Sequence, residues 1–296
     1  MKKQNTRKIA IFSFFVFMLI AGLFLYQNSS QAKKNSRNRL TEANNTPKSQ
    51  EQPTTELAKK STETVISPDK AVIVSCKYPS QVLNLTGWKE TLPTGSTKKP
   101  TEIKQATLAS YSANPYFQAN SSCDGVIFRA PVNGVTTSGS GYPRSELREM
   151  TTDGKSLASW ATTSGTHSMF IDAAITAVPK TKKHIVVGQI HDANDDVIVI
   201  RLEYPKLFVD INGQTGPTLD PNYQLGKRFT VKFLASNGQI SVYYNGNTTS
   251  SYTMKKSSSG NYFKAGAYTQ SNCSKETDCS GNNFGEAILY KLSVQH

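Results

Sequence analysis

Three short segments carry the residue types from which acid–base chemistry on an anionic substrate is built. In YPRSELREM, Arg144, Glu146 and Arg148 recur at every second position; in VVGQIHD, Gln189 and His191 do so; in NYFKAGAYTQ, Tyr262, Lys264, Gly266, Tyr268 and Gln270 do so. Side chains two apart on a strand share a face. Each segment therefore sets a polar row on one side and turns the residues between, among them Leu147, Ile190, Phe263, Ala265 and Ala267, to the other. A solvated face explains any one such strand. It explains three together less well, because water-facing strands rarely choose Gln-x-His, and a glycine in mid-strand points to a close approach to its backbone.

Arg144, Arg148 and Lys264 attract carboxylates, and Glu146 can hold the arginines by bidentate pairing. His191 titrates near neutrality and can move a proton. Either His191 or Tyr268 can take a proton, and Tyr268 can serve as the complementary acid if neighbouring cations favour release of its own. His167, His184 and His296 fall in no comparable pattern and read as structural. No cysteine spacing fits a zinc site, so no metal is expected, and nothing calls for a cofactor.

The elements that must hold these rows are strands. Apolar runs such as GVIFRAPV, DVIVIRLEY, RFTVKFLAS and QISVYYNG are short, several alternate with period 2, and helical periodicity is nearly absent apart from a short turn near 101–110. Asn212-Gly213, Asn237-Gly238 and Asn245-Gly246 are tight-turn dipeptides. The pattern predicts an all-β domain over 71–296, two antiparallel sheets packed as a sandwich or jelly roll.

The first 70 residues are of another kind. Lys2, Lys3, Arg7 and Lys8 precede an uncharged apolar run over 9–26, which reads as a cleaved signal over 1–32 or as an uncleaved membrane anchor. Residues 33–70 are too polar to bury a core and read as a flexible spacer. The formal charge of +13 divides accordingly, with 12 Lys+Arg against 5 Asp+Glu in residues 1–70 and 22 against 16 in the rest. Nucleic acid as partner is set aside by the expected export and by the absence of a nucleic-acid motif. An acidic polymer remains as the partner of a secreted or surface-anchored protein, and a monomer is expected. Export suits the four cysteines, which allow three connectivities. The short loop between Cys273 and Cys279 favours a local clip and leaves Cys76–Cys123.

RSELR, QIH and YFKAGAYTQ resemble the three signature segments of the alginate lyases of polysaccharide lyase family 7. The similarity extends through YPSQVLNLTGWKETLPTGS, PTEIKQATLASY, FRAPVNGVTTSGSGYPRSELREM and AILYKLSV, covering essentially residues 76–294. The resemblance implies a β-jelly roll with a groove across a concave sheet and β-elimination of a uronic acid polymer. It implies Arg144, Gln189, His191 and Tyr268 as the catalytic set, with Glu146, Arg148, Tyr262, Lys264 and Gln270 supporting or contacting substrate. Isoleucine in the QIH segment accompanies guluronate-containing blocks in that family, so Ile190 points to guluronate or mixed blocks and endo action is expected. Two rivals stand beside this reading: a lyase on another polyuronate such as glucuronan, and a non-catalytic polyuronate-binding module.

Overall fold

Period-2 alternation builds fifteen strands among residues 75–296, the part of the chain that the computed structural model describes. The expected signal or anchor (1–32, with its apolar run 9–26) and the spacer (33–70) lie outside the described residues. In chain order the strands are β1 (Trp88–Ser96), β2 (Lys99–Ile103), β3 (Phe117–Ala119), β4 (Val126–Pro131), β5 (Arg144–Glu149), β6 (Thr166–Ala177), β7 (His184–His191) and β8 (Asp196–Glu203). They continue with β9 (Lys206–Ile211), β10 (Gln214–Asp220), β11 (Arg228–Ser236), β12 (Gln239–Tyr244), β13 (Tyr252–Lys255), β14 (Tyr262–Thr269) and β15 (Phe284–Gln295). The turn expected near 101–110 is a short 3-10 helix at Thr107–Ser110, behind β2.

All pairings are antiparallel and form two sheets, of order β10-β9-β8-β7-β14-β5-β1-β2 and β13-β12-β11-β6-β15-β4-β3. This is the jelly-roll sandwich expected from the pattern. Strands that sit next to each other in the centre of the first sheet, β5, β14 and β7, are far apart in sequence and carry the three polar rows. The Asn-Gly pairs behave as read: Asn212 and Gly213, Asn237 and Gly238, and Asn245 and Gly246 all have φ between 48° and 77°. The first two join β9 to β10 and β11 to β12.

The core lies between the sheets. Leu147, Ile190, Phe263, Ala265 and Ala267 turn inward from the first sheet, and Phe128, Met169, Ile171, Ala287 and Leu289 are buried in the second. Removing several methylenes from such a site, as in Leu147→Ala, typically costs about 2–5 kcal/mol, because the surroundings collapse only partly. Gly266, at φ +144°, is confined by its own sheet: a Cβ there would lie 2.6 Å from the Ser145 carbonyl oxygen. The close approach is thus to β5, not to a ligand. Both disulfides form as read, Cys76–Cys123 and Cys273–Cys279, with Cα separations of 5.4 and 4.8 Å. No helix among the described residues is long and apolar enough to cross a membrane.

One core position breaks the apolar rule. Glu90 on β1 is fully buried and accepts a hydrogen bond from Ser145 Oγ at 2.8 Å, while its Oε2 has no partner. Burial, with the nearby charge of Glu146 adding to it, pushes this carboxyl well above the usual range, outweighing the hydrogen bond from Ser145.

Candidate active site

Register decides which polar residues meet. On β14 and β5, Lys264 stands opposite Arg148, Gly266 opposite Glu146 and Tyr268 opposite Arg144. On the other side of β14, Tyr262 faces His191 and Lys264 faces Gln189. Three strands therefore bring eight sequence-derived candidates onto one patch of the first sheet's outer face, with Gln270 one residue past the end of β14.

Glu146 lies at its centre, 1% exposed. One carboxylate oxygen accepts from Lys264 Nζ at 2.6 Å and from Arg144 Nη1 at 3.0 Å; the other accepts from Gln189 Nε2. Burial alone would push this carboxyl up. The Lys264 and Arg144 charges, with the hydrogen bonds, more than offset it and hold it below the usual range. The opposite cost falls on Lys264, which burial and the neighbouring Arg144 bring down to about 8 in spite of Glu146. One buried carboxylate thus orients three donors. The small methylene-free space left by Gly266 beside it keeps the strands close enough for that.

Two stacks flank this centre. Arg144 places its guanidinium carbon 3.8 Å from the Tyr268 ring centroid. Arg148 does the same over Tyr262 at 3.8 Å, and Tyr262 stacks in turn on His191 at 5.1 Å between centroids. Burial pushes the Tyr262 hydroxyl up against the opposing charge of Arg148, which suits Tyr262 as a wall rather than a proton carrier. His191 Nδ1 lies 2.7 Å from the Asp192 carbonyl oxygen, which can only accept, so Nδ1 carries the proton and Nε2 is left with a free lone pair. Burial and the Lys264 charge lower the pKa of His191 despite the backbone hydrogen bond, so the ring is neutral at pH 7. Arg144 Nε is buried and has no partner.

A cleft of about 240 Å³ runs from Gln189, Tyr268 and Gln270 past Tyr142 towards Arg201 and Asp210. A larger cavity of about 540 Å³, near Trp88, Trp160, His167 and His296, contains none of the nine candidates. His167 and His296 there join Glu149 in a hydrogen-bonded chain, and His184 pairs with Glu203. The three histidines read as structural lie away from the patch centred on Glu146.

Known proteins share this architecture. The family model described as "Alginate lyase" matches residues 83–296. The chain belongs to the alginate lyases of polysaccharide lyase family 7. It is similar to the crystal structure of the alginate lyase from Corynebacterium sp., with 53% identity, a TM-score of 0.73, and coverage of 75% of this chain and 99% of that one. It is also similar to alginate lyase AlgAT5 of polysaccharide lyase family 7, with 54% identity, a TM-score of 0.70, and coverage of 74% and 98%. A third solved relative, A1-II', in complex with substrate (GGMG), shows 26% identity, a TM-score of 0.63, and coverage of 75% and 97%. Among curated proteins, an alginate lyase of Klebsiella pneumoniae is 27% identical over 297 residues, 77% of this chain and 94% of that protein.

The lyase also holds groups at this patch that sequence reasoning missed. Lys89 and Thr91 on β1 stand opposite Arg148 and Glu146, and Lys89 pairs with Glu102 of β2. The alternation in WKETL was a usable signal for them. Tyr142, whose hydroxyl accepts from Lys182 Nζ at 3.0 Å, stands beside Tyr268 with ring centroids 6.5 Å apart. Ser140 lies 2.8 Å from the Tyr268 hydroxyl. It sits in a loop without periodicity, where spacing says nothing about direction.

Proposed function

We propose that this alginate lyase cleaves the 1,4-glycosidic bonds of alginate by β-elimination, leaving 4,5-unsaturated uronate ends, with Arg144, Gln189, His191 and Tyr268 as its catalytic residues. The observation that carries the reading is the Glu146 clamp, which orients Arg144, Gln189 and Lys264 together between a neutral histidine and a tyrosine hydroxyl.

The C5 proton of a uronate is barely acidic while the adjacent carboxylate keeps its full charge. Arg144 and Gln189 neutralise and hydrogen-bond that carboxylate, stabilising the enolate as it forms. His191 Nε2 takes the C5 proton, the C4–C5 double bond forms, and the C4–O4 bond breaks as Tyr268 gives its proton to O4. No water enters the products. Arg148, Tyr262, Lys264 and Gln270 contact neighbouring sugars or hold the wall, and the buried Glu146 keeps the donors in place.

A relative solved with substrate (GGMG) supports an oligomeric ligand in this groove. Ile190 lies in the core beneath Gln189 and His191, so it bears on the guluronate or mixed-block preference through packing alone. Endo action, cleavage within the polymer, belongs to the same reading. The two disulfides suit an oxidising compartment, and we place the catalytic domain (71–296) outside the cytoplasm, behind the signal or anchor and the spacer.

Incubation with purified polyguluronate, polymannuronate and alternating blocks, followed by mass spectrometry, tests the whole reading. Unsaturated oligomers of mixed length, formed fastest from guluronate-containing blocks, are expected. Saturated products would overturn the elimination, and release of a single small product would overturn endo action.

A further inference from the structure

We propose that Ser140 is a positioning residue of the lyase reaction: its hydroxyl accepts from Tyr268 while Tyr268 holds its proton, and donates to the Tyr268 oxygen once that proton has passed to O4. The inference deepens the proposed function and rests on Tyr268 acting as the acid.

The argument is a proton inventory. Ser140 Oγ has three polar neighbours: the Tyr142 N–H at 3.0 Å, the Tyr142 carbonyl oxygen at 3.2 Å and the Tyr268 hydroxyl at 2.8 Å. A serine hydroxyl offers one proton and two lone pairs. The Tyr142 N–H can only donate and occupies one lone pair. While Tyr268 keeps its proton, it donates to the second lone pair, and the Ser140 proton goes to the Tyr142 carbonyl. When Tyr268 loses its proton to the departing oxygen, its own oxygen becomes a strong acceptor. The Ser140 hydroxyl then rotates from the Tyr142 carbonyl to the Tyr268 oxygen, with no covalent bond changed in Ser140. The hydrogen bond it makes to the resulting phenolate is stronger than the one it leaves, because the acceptor is now charged. Proton release from Tyr268 is stabilised at the moment the leaving group needs it.

Such a role needs a fixed oxygen, and the loop between β4 and β5 supplies one. Lys98 Nζ, from the β1–β2 turn, donates to the Ser140 carbonyl at 2.8 Å and to Thr136 Oγ1 at 3.1 Å. Asn272 Nδ2 donates to the Gly141 carbonyl at 2.9 Å. Two distant segments therefore pin the backbone on either side of the hydroxyl. The Arg144 guanidinium covers the ring of Tyr268, so the two contacts fix its ring and its oxygen independently.

The test is the pH dependence of kcat for Ser140→Ala and Ser140→Thr on polymeric alginate, with Tyr268→Phe run alongside. For Ser140→Ala, kcat is expected to fall about 10- to 100-fold with KM unchanged. The alkaline limb of its kcat profile should move to higher pH, since the acid gives up its proton less readily. Ser140→Thr, which keeps the hydroxyl, should restore both. A loss equal at every pH, a loss confined to KM, or no rescue by threonine would overturn the proposal while leaving Tyr268 as the acid. Full turnover by Tyr268→Phe would overturn both readings together.

Discussion

Arg144 and Tyr268 face each other across the β5–β14 register, and the guanidinium carbon of the first sits over the ring of the second, 3.8 Å from its centroid. In the proposed mechanism, the group that neutralises a substrate carboxylate and the group that protonates the leaving oxygen are thereby held as one unit. Arg144→Ala is expected to lower kcat by about 10²–10³, the loss typical of one preorganised donor in a dry site. Rates followed through the ultraviolet absorbance of the unsaturated product check this.

His191→Ala and Tyr268→Phe should each nearly abolish activity, by about 10²–10⁴-fold, the usual share of a positioned acid or base. Both variants should fold normally. His191 is half-buried, and phenylalanine at 268 keeps the ring beneath Arg144. Circular dichroism alongside initial rates separates loss of chemistry from loss of fold; full turnover by either variant would remove its assigned role.

Glu146→Gln keeps the shape of the clamp and removes its charge. Lys264 and Arg144 are then left buried beside each other without a counter-ion, and breaking one partner of such a pair costs about 3–5 kcal/mol. Because the Glu146 carboxyl is held below its usual range, its contribution is present above the unfolded value and lost as pH falls through the folded one. Urea unfolding across pH should show a large deficit in the variant at neutral pH that narrows in acid.

The kcat/KM profile of the free enzyme should be bell-shaped. His191 becomes the required neutral base as pH rises through a value below that of an ordinary histidine. Lys264 loses the charge that draws carboxylates as pH rises through about 8. The fall on the alkaline side should therefore appear as a rising KM. A KM constant across that region would detach Lys264 from substrate binding.

Glu90→Gln should stabilise the fold at neutral pH and lose that advantage in acid. The folded carboxyl is held well above its usual range by burial, so its protonated form suits the core below the unfolded value, and that stability is lost as pH rises towards the folded one. Glutamine keeps the acceptor for Ser145 and cannot ionise. Melting temperatures measured at acid and neutral pH decide it; a variant less stable at both would show that the acid proton matters to the core.

Much of this enzyme was legible in its sequence because strand geometry has a period of two. That period alone placed Arg144, Glu146 and Arg148 on one face, Gln189 and His191 on another, and Tyr262, Lys264 and Tyr268 on a third, while sending Leu147, Ile190 and Phe263 to the core. Turn chemistry fixed the Asn-Gly corners, because asparagine and glycine accept the positive φ those corners require. Local sequence could not say that β5, β14 and β7 lie side by side, since their pairing depends on long-range packing of two sheets. Only the tertiary structure decided that Glu146 would be the buried counter-ion of Lys264 as well as of Arg144, that Gly266 makes room for a neighbouring strand, and that Ser140 meets Tyr268. The physical reason is the same in each case: alternation sets the direction of a side chain, but only packing sets what stands opposite it.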